Sequence, residues 1–219
     1  GDQNNPPEGP HAWAGWRPWD NAPDMLLCPS DSGTPHRNGR FNSYAFSAGD
    51  QVQSLTNGIS NQVRGIFGAR PTNNGKNYIG YAMKDVTDGT SNTIAFSERL
   101  VQANTPIRGQ NPVSVRGAEV EHVLGVHQRV GGLVNNPGLC RTKSDGMYFV
   151  AGSQIQARFG IAWQDGQPMY VSFNTVLPPN GPACADGGTH GDSTHLVMPP
   201  ASRHPGGVNA TFVDGSIHF

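Results

Sequence analysis

The sequence predicts a sheet-rich α+β fold: an antiparallel sheet carrying long loops, with one helix at about residues 117–133. Three observations point there. The 219 residues include 29 Gly and 18 Pro, with only 14% charged and 35% hydrophobic residues, the composition of a turn-rich chain and not of a helical bundle. The apolar runs are short and bounded by Gly, Pro, Asn and Asp, as strands are. Finally, residues 202–219 (SRHPGGVNATFVDGSIHF) place Asp214-Gly215 between two alternating runs, a strong short-range hairpin signal.

Folded about a two-residue type I′ turn, that segment pairs Val213 with Ser216, Phe212 with Ile217, Thr211 with His218 and Ala210 with Phe219. Side chains alternate along a strand, so Ala210, Phe212, Ile217 and Phe219 are expected to share a buried apolar face. Both central residues of such a turn need positive φ, which assigns Asp214 and Gly215 a structural role. Phe219 is then a core residue, and the hairpin closes the sheet.

The remaining elements follow in chain order. Residues 1–24 read as an extended segment carrying Trp13, Trp16 and Trp19. Rings three residues apart suit either a wrap packed on the domain or a sugar-stacking platform, and packing is the commoner use. Residues 25–219 are expected to form one globular domain. Residues 25–28, 41–49 and 93–98 read as strands, and residues 84–88 as a helical turn closed by Gly89. Between residues 113 and 136 no proline intervenes, and Val115, Ala118, Val120, Val123, Leu124 and Val126 are spaced as a helical face, although Gly125, Gly131 and Gly132 weaken it. Residues 158–163 and 169–174 read as a hairpin about Asp165-Gly166, and residues 178–193 as a Gly/Pro loop.

Charge and motifs exclude several function classes. Three Lys and twelve Arg against 16 acidic residues give a net charge of −1, which provides no basic field for nucleic acid. No apolar window is long enough to span a membrane. His190, Asp192 and His195 are metal-ligand types, but they lie in a glycine-rich loop without the rigid HExxH arrangement of a zinc hydrolase. No cofactor is expected, and calcium is the one ion such loop oxygens would suit. Ser202, His204 and Asp214 are the residue types of a hydrolase triad, yet no Ser lies in a G-x-S-x-G elbow. No residue is assigned a catalytic role. Cys28, Cys140 and Cys184 show no CxxC spacing, so a zinc knuckle is not expected; Cys140 and Cys184 lie in stretches read as loops, either as a disulfide or as buried thiols.

Four stretches carry a family resemblance. They are Leu27-Cys28-Pro29-Ser30-Asp31, Val86-Thr87-Asp88-Gly89-Thr90-Ser91-Asn92-Thr93-Ile94, Phe173-Asn174-Thr175-Val176-Leu177-Pro178-Pro179-Asn180 and the closing S-R-H-P-G-G-x-N-x-x-F-x-D-G-S-I-x-F. In this order they resemble a planctomycete-type prepilin-like family, catalogued mainly as a domain of unknown function. The resemblance implies a type IV pilin or type II secretion pseudopilin-like architecture, with a hydrophobic N-terminal helix followed by a globular sheet domain. This sequence lacks that helix, so it is expected to be a mature or truncated C-terminal globular portion. The implied role is a structural subunit of an extracellular pilus-like or pseudopilus-like assembly, exported, not an enzyme, and associating with identical or related subunits. The alternative is a secreted carbohydrate- or solute-binding module using the Trp13/Trp16/Trp19 run, with a surface glycan as its partner. The resemblance also implies a Cys140–Cys184 disulfide, with the natural partner of Cys28 in the region upstream. Asn92, Glu98, Arg203 and His204 are expected to hold the structure together, with Arg203 paired to Glu98 or Asp214.

Overall fold

The computed structural model describes residues 9–12, 14–33, 39–55, 63–71, 78–102, 113–116, 119–187 and 193–219. Its architecture is sheet-rich α+β, built on two mixed five-stranded sheets. The strands in chain order are β1 (Tyr44–Ser47), β2 (Ala69–Pro71), β3 (Tyr78–Gly80), β4 (Ile94–Glu98), β5 (Val113–Val115), β6 (Val126–His127), β7 (Ser153–Gln156), β8 (Ser172–Phe173), β9 (Ala183–Asp186), β10 (His195–Val197), β11 (Ala210–Phe212) and β12 (Ile217–His218). The first sheet runs β12-β11-β4-β1-β8 and the second β10-β9-β6-β7-β5, while β2 and β3 pair alone. Each large sheet holds one parallel pair, β1 with β8 and β6 with β9. The sheets are therefore not purely antiparallel, because these partners are joined by long excursions and not by hairpins.

Helical structure is sparse. Among the described residues the longest helical stretch is a 3₁₀ helix, Pro137–Lys143, and an α-helical turn, α1 (Pro168–Val171), leads into β8. Among the described residues no helix is long and apolar enough to cross a membrane.

The helix expected at residues 117–133 does not form. Its described part, residues 119–133, is a series of turns interrupted by β6. Gly125 packs so closely that a Cβ would lie 2.5 Å from Ile155 Cγ2, and Arg129 and Gly132 adopt left-handed φ values of 59° and 85°. Left-handed residues end a helix. The apparent helical spacing has another origin, since the chain visits three cores in turn. Val115 and Val120 join Phe149 and Ile155, Val126 joins Leu196 and Met198, and Val130 and Leu133 join Leu177 and Val197.

The C-terminal hairpin forms, but one residue out of the expected register. Ala210 pairs with His218 and Thr211 with Ile217. Gly215 alone in the turn has positive φ, at 88°, while Asp214 Oδ1 accepts the Ser216 N–H at 2.9 Å and its hydroxyl at 2.7 Å. The Asp side chain thus favours a three-residue loop over the two-residue turn. A one-residue slip inverts the faces. Ile217 and Phe219 are consequently 67% and 69% exposed, on an edge strand. The turn itself is docked, since Val213 N–H donates to Thr93 O and Asp214 N–H to Thr90 O.

Two other expectations change. Residues 158–163 form turns, and α1 replaces most of the returning strand, because Pro168 occupies the first helical turn, a position where proline is tolerated. Asp24–Leu26 is a 3₁₀ turn that leaves Met25 exposed, and the presumed loop after Pro178 contains β9.

The Cys140–Cys184 disulfide is present, with Cα atoms 5.7 Å apart, and joins the Pro137–Lys143 helix to β9. Both cysteines are fully buried within the cluster formed by Val52, Val130, Leu133, Leu177 and Val197. Closing a loop of this length stabilises the chain by about 4 kcal/mol on chain-entropy grounds. Alkylation of the denatured, unreduced protein should label Cys28 alone; three labelled thiols would contradict the bridge. Phe149 is fully buried, so Phe149→Ala should cost about 3–5 kcal/mol in urea unfolding, against less than about 1 kcal/mol for the exposed Phe219→Ala. Equal losses would contradict the corrected hairpin facing.

Candidate functional site

Three of the four stretches that carry the family resemblance meet at one end of the first sheet; the other, residues 86–94, lies at the opposite end of β4, where Thr90 and Thr93 hold the hairpin turn. Glu98 is the last residue of β4 and is only 5% exposed. Cys28 reaches it from the segment after the Asp24–Leu26 turn, and residues 202–209 cover it before the chain enters β11. Glu98 Oε2 accepts the Asn209 N–H at 2.8 Å, and Oε1 accepts Asn209 Nδ2 at 3.3 Å. His204 Nε2 lies 3.1 Å from Oε1, and Cys28 Sγ lies 3.9 Å away as a long S–H donor. Ser30 Oγ sits 3.1 Å from Cys28 Sγ and 3.4 Å from His204 Nε2. The Cys28, Glu98 and His204 donor atoms all lie within 4.8 Å of one another.

The covering loop is shaped by its own polar atoms. Ser202 Oγ donates to Gly207 O at 2.7 Å and accepts the His204 N–H at 3.1 Å. Ser202 N–H donates to Asn180 Oδ1 at 2.9 Å, which anchors the loop to the third family stretch. Gly206 has φ of 95°, a left-handed value that favours glycine.

A second buried carboxylate lies beside the first. Asp31 Oδ1 accepts the Gly33 N–H, and Oδ2 accepts Ser43 Oγ and the Val101 N–H, all at 2.8–2.9 Å. Burial pushes the Asp31 carboxyl above its ordinary value, while these hydrogen bonds oppose that shift by favouring the ionised form. The residue after Glu98, Arg99, is 2% exposed; its guanidinium stacks 4.7 Å above the Phe159 ring and donates to Ser172 O. Burial pushes Arg99 down to about 9, so it stays charged at neutral pH. A cavity bordered by Cys28, Ser30, Glu98 and Arg203 measures about 10 Å³, room for about one water and not for an organic substrate.

The other expected residues are placed as follows. Arg203 Nη1 bonds Glu121 Oε2 at 2.5 Å, and not Glu98 or Asp214. The reason is occupancy: Glu98 is bonded by Asn209 and His204, and Asp214 by Ser216. Asn92 Nδ2 donates to Asp88 O within its own turn. His190 and Asp192 lie outside the described residues, and His195 Nδ1 accepts the Ser54 N–H at 3.1 Å. Trp13 is also outside them. Trp19 is buried, its carbonyl accepts Trp163 Nε1–H, and Trp16 meets it edge-on at 5.2 Å.

The family model described as "Protein of unknown function (DUF1559)" matches residues 2–219. The chain belongs to that family. No curated protein matches it. No solved structure matches it either. In this DUF1559 chain the sequence gives Glu98 and His204 structural roles separately and joins neither to Cys28, because Glu98 lies 70 residues from Cys28 and 106 from His204. The available signal was that each family stretch carries a polar residue next to an apolar strand.

Asp31→Ala would leave the Gly33 and Val101 N–H groups and the Ser43 hydroxyl without the named acceptor. About 1–3 kcal/mol per unsatisfied buried group predicts a large fall in urea midpoint, with Asp31→Asn keeping part of the stability. Unchanged unfolding of Asp31→Ala would contradict the assigned role.

Proposed function

We propose that this chain is the solvent-facing globular portion of an exported, non-catalytic structural subunit that assembles with identical or related subunits into a pilus-like or pseudopilus-like filament. The observation that carries this reading is where the polar residues of the family stretches are spent. Asp31, Asn180 and Ser202 of those stretches, with Glu98 at the end of β4, bond backbone and loops. Asn174 does the same, donating to Gln51 O and Leu196 O and accepting the Met198 N–H. The cavity bordered by Asp31, Glu98 and Ser202 has space for about one water. Such a constellation serves architecture better than turnover. The disulfide fits an oxidising compartment.

One face of the first sheet supports association. Ile217, Thr211, Phe96 and Phe46 are successive cross-strand neighbours over four strands. Phe67 packs on Phe46 and Phe96 with ring centroids 4.9 and 5.0 Å away, yet Phe46, Phe67 and Ile217 remain 36%, 46% and 67% exposed. A contiguous apolar patch of this kind is an interaction surface by default. The carbohydrate-binding alternative draws less support, because Trp19 is buried and its carbonyl is engaged by Trp163.

Electron microscopy and sedimentation of protein isolated from its native source should show filaments or higher oligomers. Phe67→Glu with Ile217→Glu should reduce the association while leaving the circular dichroism spectrum unchanged. A strictly monomeric native protein, or binding to polysaccharide lost on Trp16→Ala, would count against the structural reading.

A further inference from the structure

We propose that Cys28, Glu98 and His204 form a binding site for one divalent transition metal ion, zinc being the best fit. This goes beyond the structural-subunit reading and stands without it.

A thiol sulfur, an imidazole nitrogen and a carboxylate oxygen are the three side-chain ligand types zinc takes, and the mixture of soft and borderline donors disfavours calcium and magnesium. Bonds of about 2.0–2.3 Å in a tetrahedron place neighbouring ligand atoms about 3.3–3.7 Å apart. Here Glu98 Oε1 is 3.1 Å from His204 Nε2 and 3.9 Å from Cys28 Sγ. The third pair, Cys28 Sγ and His204 Nε2, lies within 4.8 Å, so closure onto an ion needs side-chain movements of up to about 1 Å. Ser30 Oγ, 3.1 Å from the sulfur and 3.4 Å from the imidazole nitrogen, stands at a fourth corner, and the adjoining cavity of about 10 Å³ can hold a water there instead.

The surroundings support the site. Glu98 Oε2 is fixed by the Asn209 N–H at 2.8 Å, while Oε1 takes only a longer contact of 3.3 Å from Asn209 Nδ2 and faces His204 and Cys28; outer partners orient metal ligands in this way. Cys28 and Glu98 are buried while the His204 side chain is 35% exposed, so the imidazole offers the entry side. Arg203 lies at the cavity but its charge is engaged by Glu121. Metal binding displaces the Cys28 thiol proton to solvent, so affinity should rise with pH. The ion would tie together three stretches far apart in sequence and replace the long S–H contact with coordination bonds. With no room for substrate beside it, its role is structural.

The test uses the intact chain, freed of metal with a chelator and kept without reductant so that the Cys140–Cys184 bond persists. Cobalt chloride is the probe. Cys28 is the free cysteine, so a thiolate-to-cobalt charge-transfer band can come from that residue alone. The expected result is such a band saturating at about one cobalt per chain, displaced by zinc chloride, absent in Cys28→Ser, and accompanied by protection of Cys28 from alkylation. His204→Ala, at a half-exposed position, should bind at least about tenfold more weakly, and Asn209→Ala about tenfold more weakly, while keeping the native circular dichroism spectrum. Cobalt binding without a thiolate band, a band that survives in Cys28→Ser, or undiminished affinity in His204→Ala would overturn the proposal. Because the wild-type spectrum decides the first of these, the test does not depend on any variant folding.

Discussion

A carboxylate removed from water must be compensated, and Glu98 makes that demand at the end of β4. An unpaired buried charge is far more costly than any single packing contact. The chain meets the demand from two distant places, with Asn209 and His204 on the oxygens and Cys28 alongside. Satisfying Glu98 therefore fixes the loop over residues 202–209. That loop leads directly into β11, which pairs with β4 and in turn carries β12. The order of one edge of the first sheet follows from a single buried carboxyl side chain.

Asp31 repeats the device a short distance away. Its oxygens hold the Ser43 hydroxyl just before β1 and the Val101 N–H just after β4, so the ends of the two central strands are bound to one residue. The backbone continues the same tie, with Arg99 N–H donating to Ser43 O. The second sheet relies on different chemistry. There the Cys140–Cys184 bridge sits in an apolar cluster, and Asn174 uses both ends of its amide to join the residues after β8 to β10 and the segment beyond it. Charge organises one sheet, and a covalent bond with a buried amide organises the other.

The sequence made the class legible because glycine, proline and short apolar runs are properties of composition. β4 was legible through the polar turn at Thr90, Ser91 and Asn92, and β1 was placed, though its inward residues proved to be Ala45 and Ser47 while Phe46 faces out. The helix over 117–133 was a misreading of valines that serve three separate cores. The hairpin register was lost on one residue, since Asp214 can either adopt a left-handed φ or cap its own turn through its carboxylate, and the sequence Asp-Gly is compatible with both. At the candidate site, the participants were visible and their meeting was not. Nothing local links Cys28 to Glu98 or His204, because the contact is made by strand order, and strand order depends on long-range pairing between β11 and β4.

The coupling between Glu98 and the loop that covers it sets the order of this sheet edge. A double-mutant cycle in equilibrium urea unfolding, built from Glu98→Ala, Asn209→Ala and the pair, measures that coupling directly. If the buried carboxylate organises the sheet edge, Glu98→Ala should be among the more destabilising single changes, and the two residues should show an interaction energy on the order of 1–2 kcal/mol, with the double variant losing less than the sum of the singles. Additive losses, or a Glu98→Ala protein as stable as the parent, would contradict it.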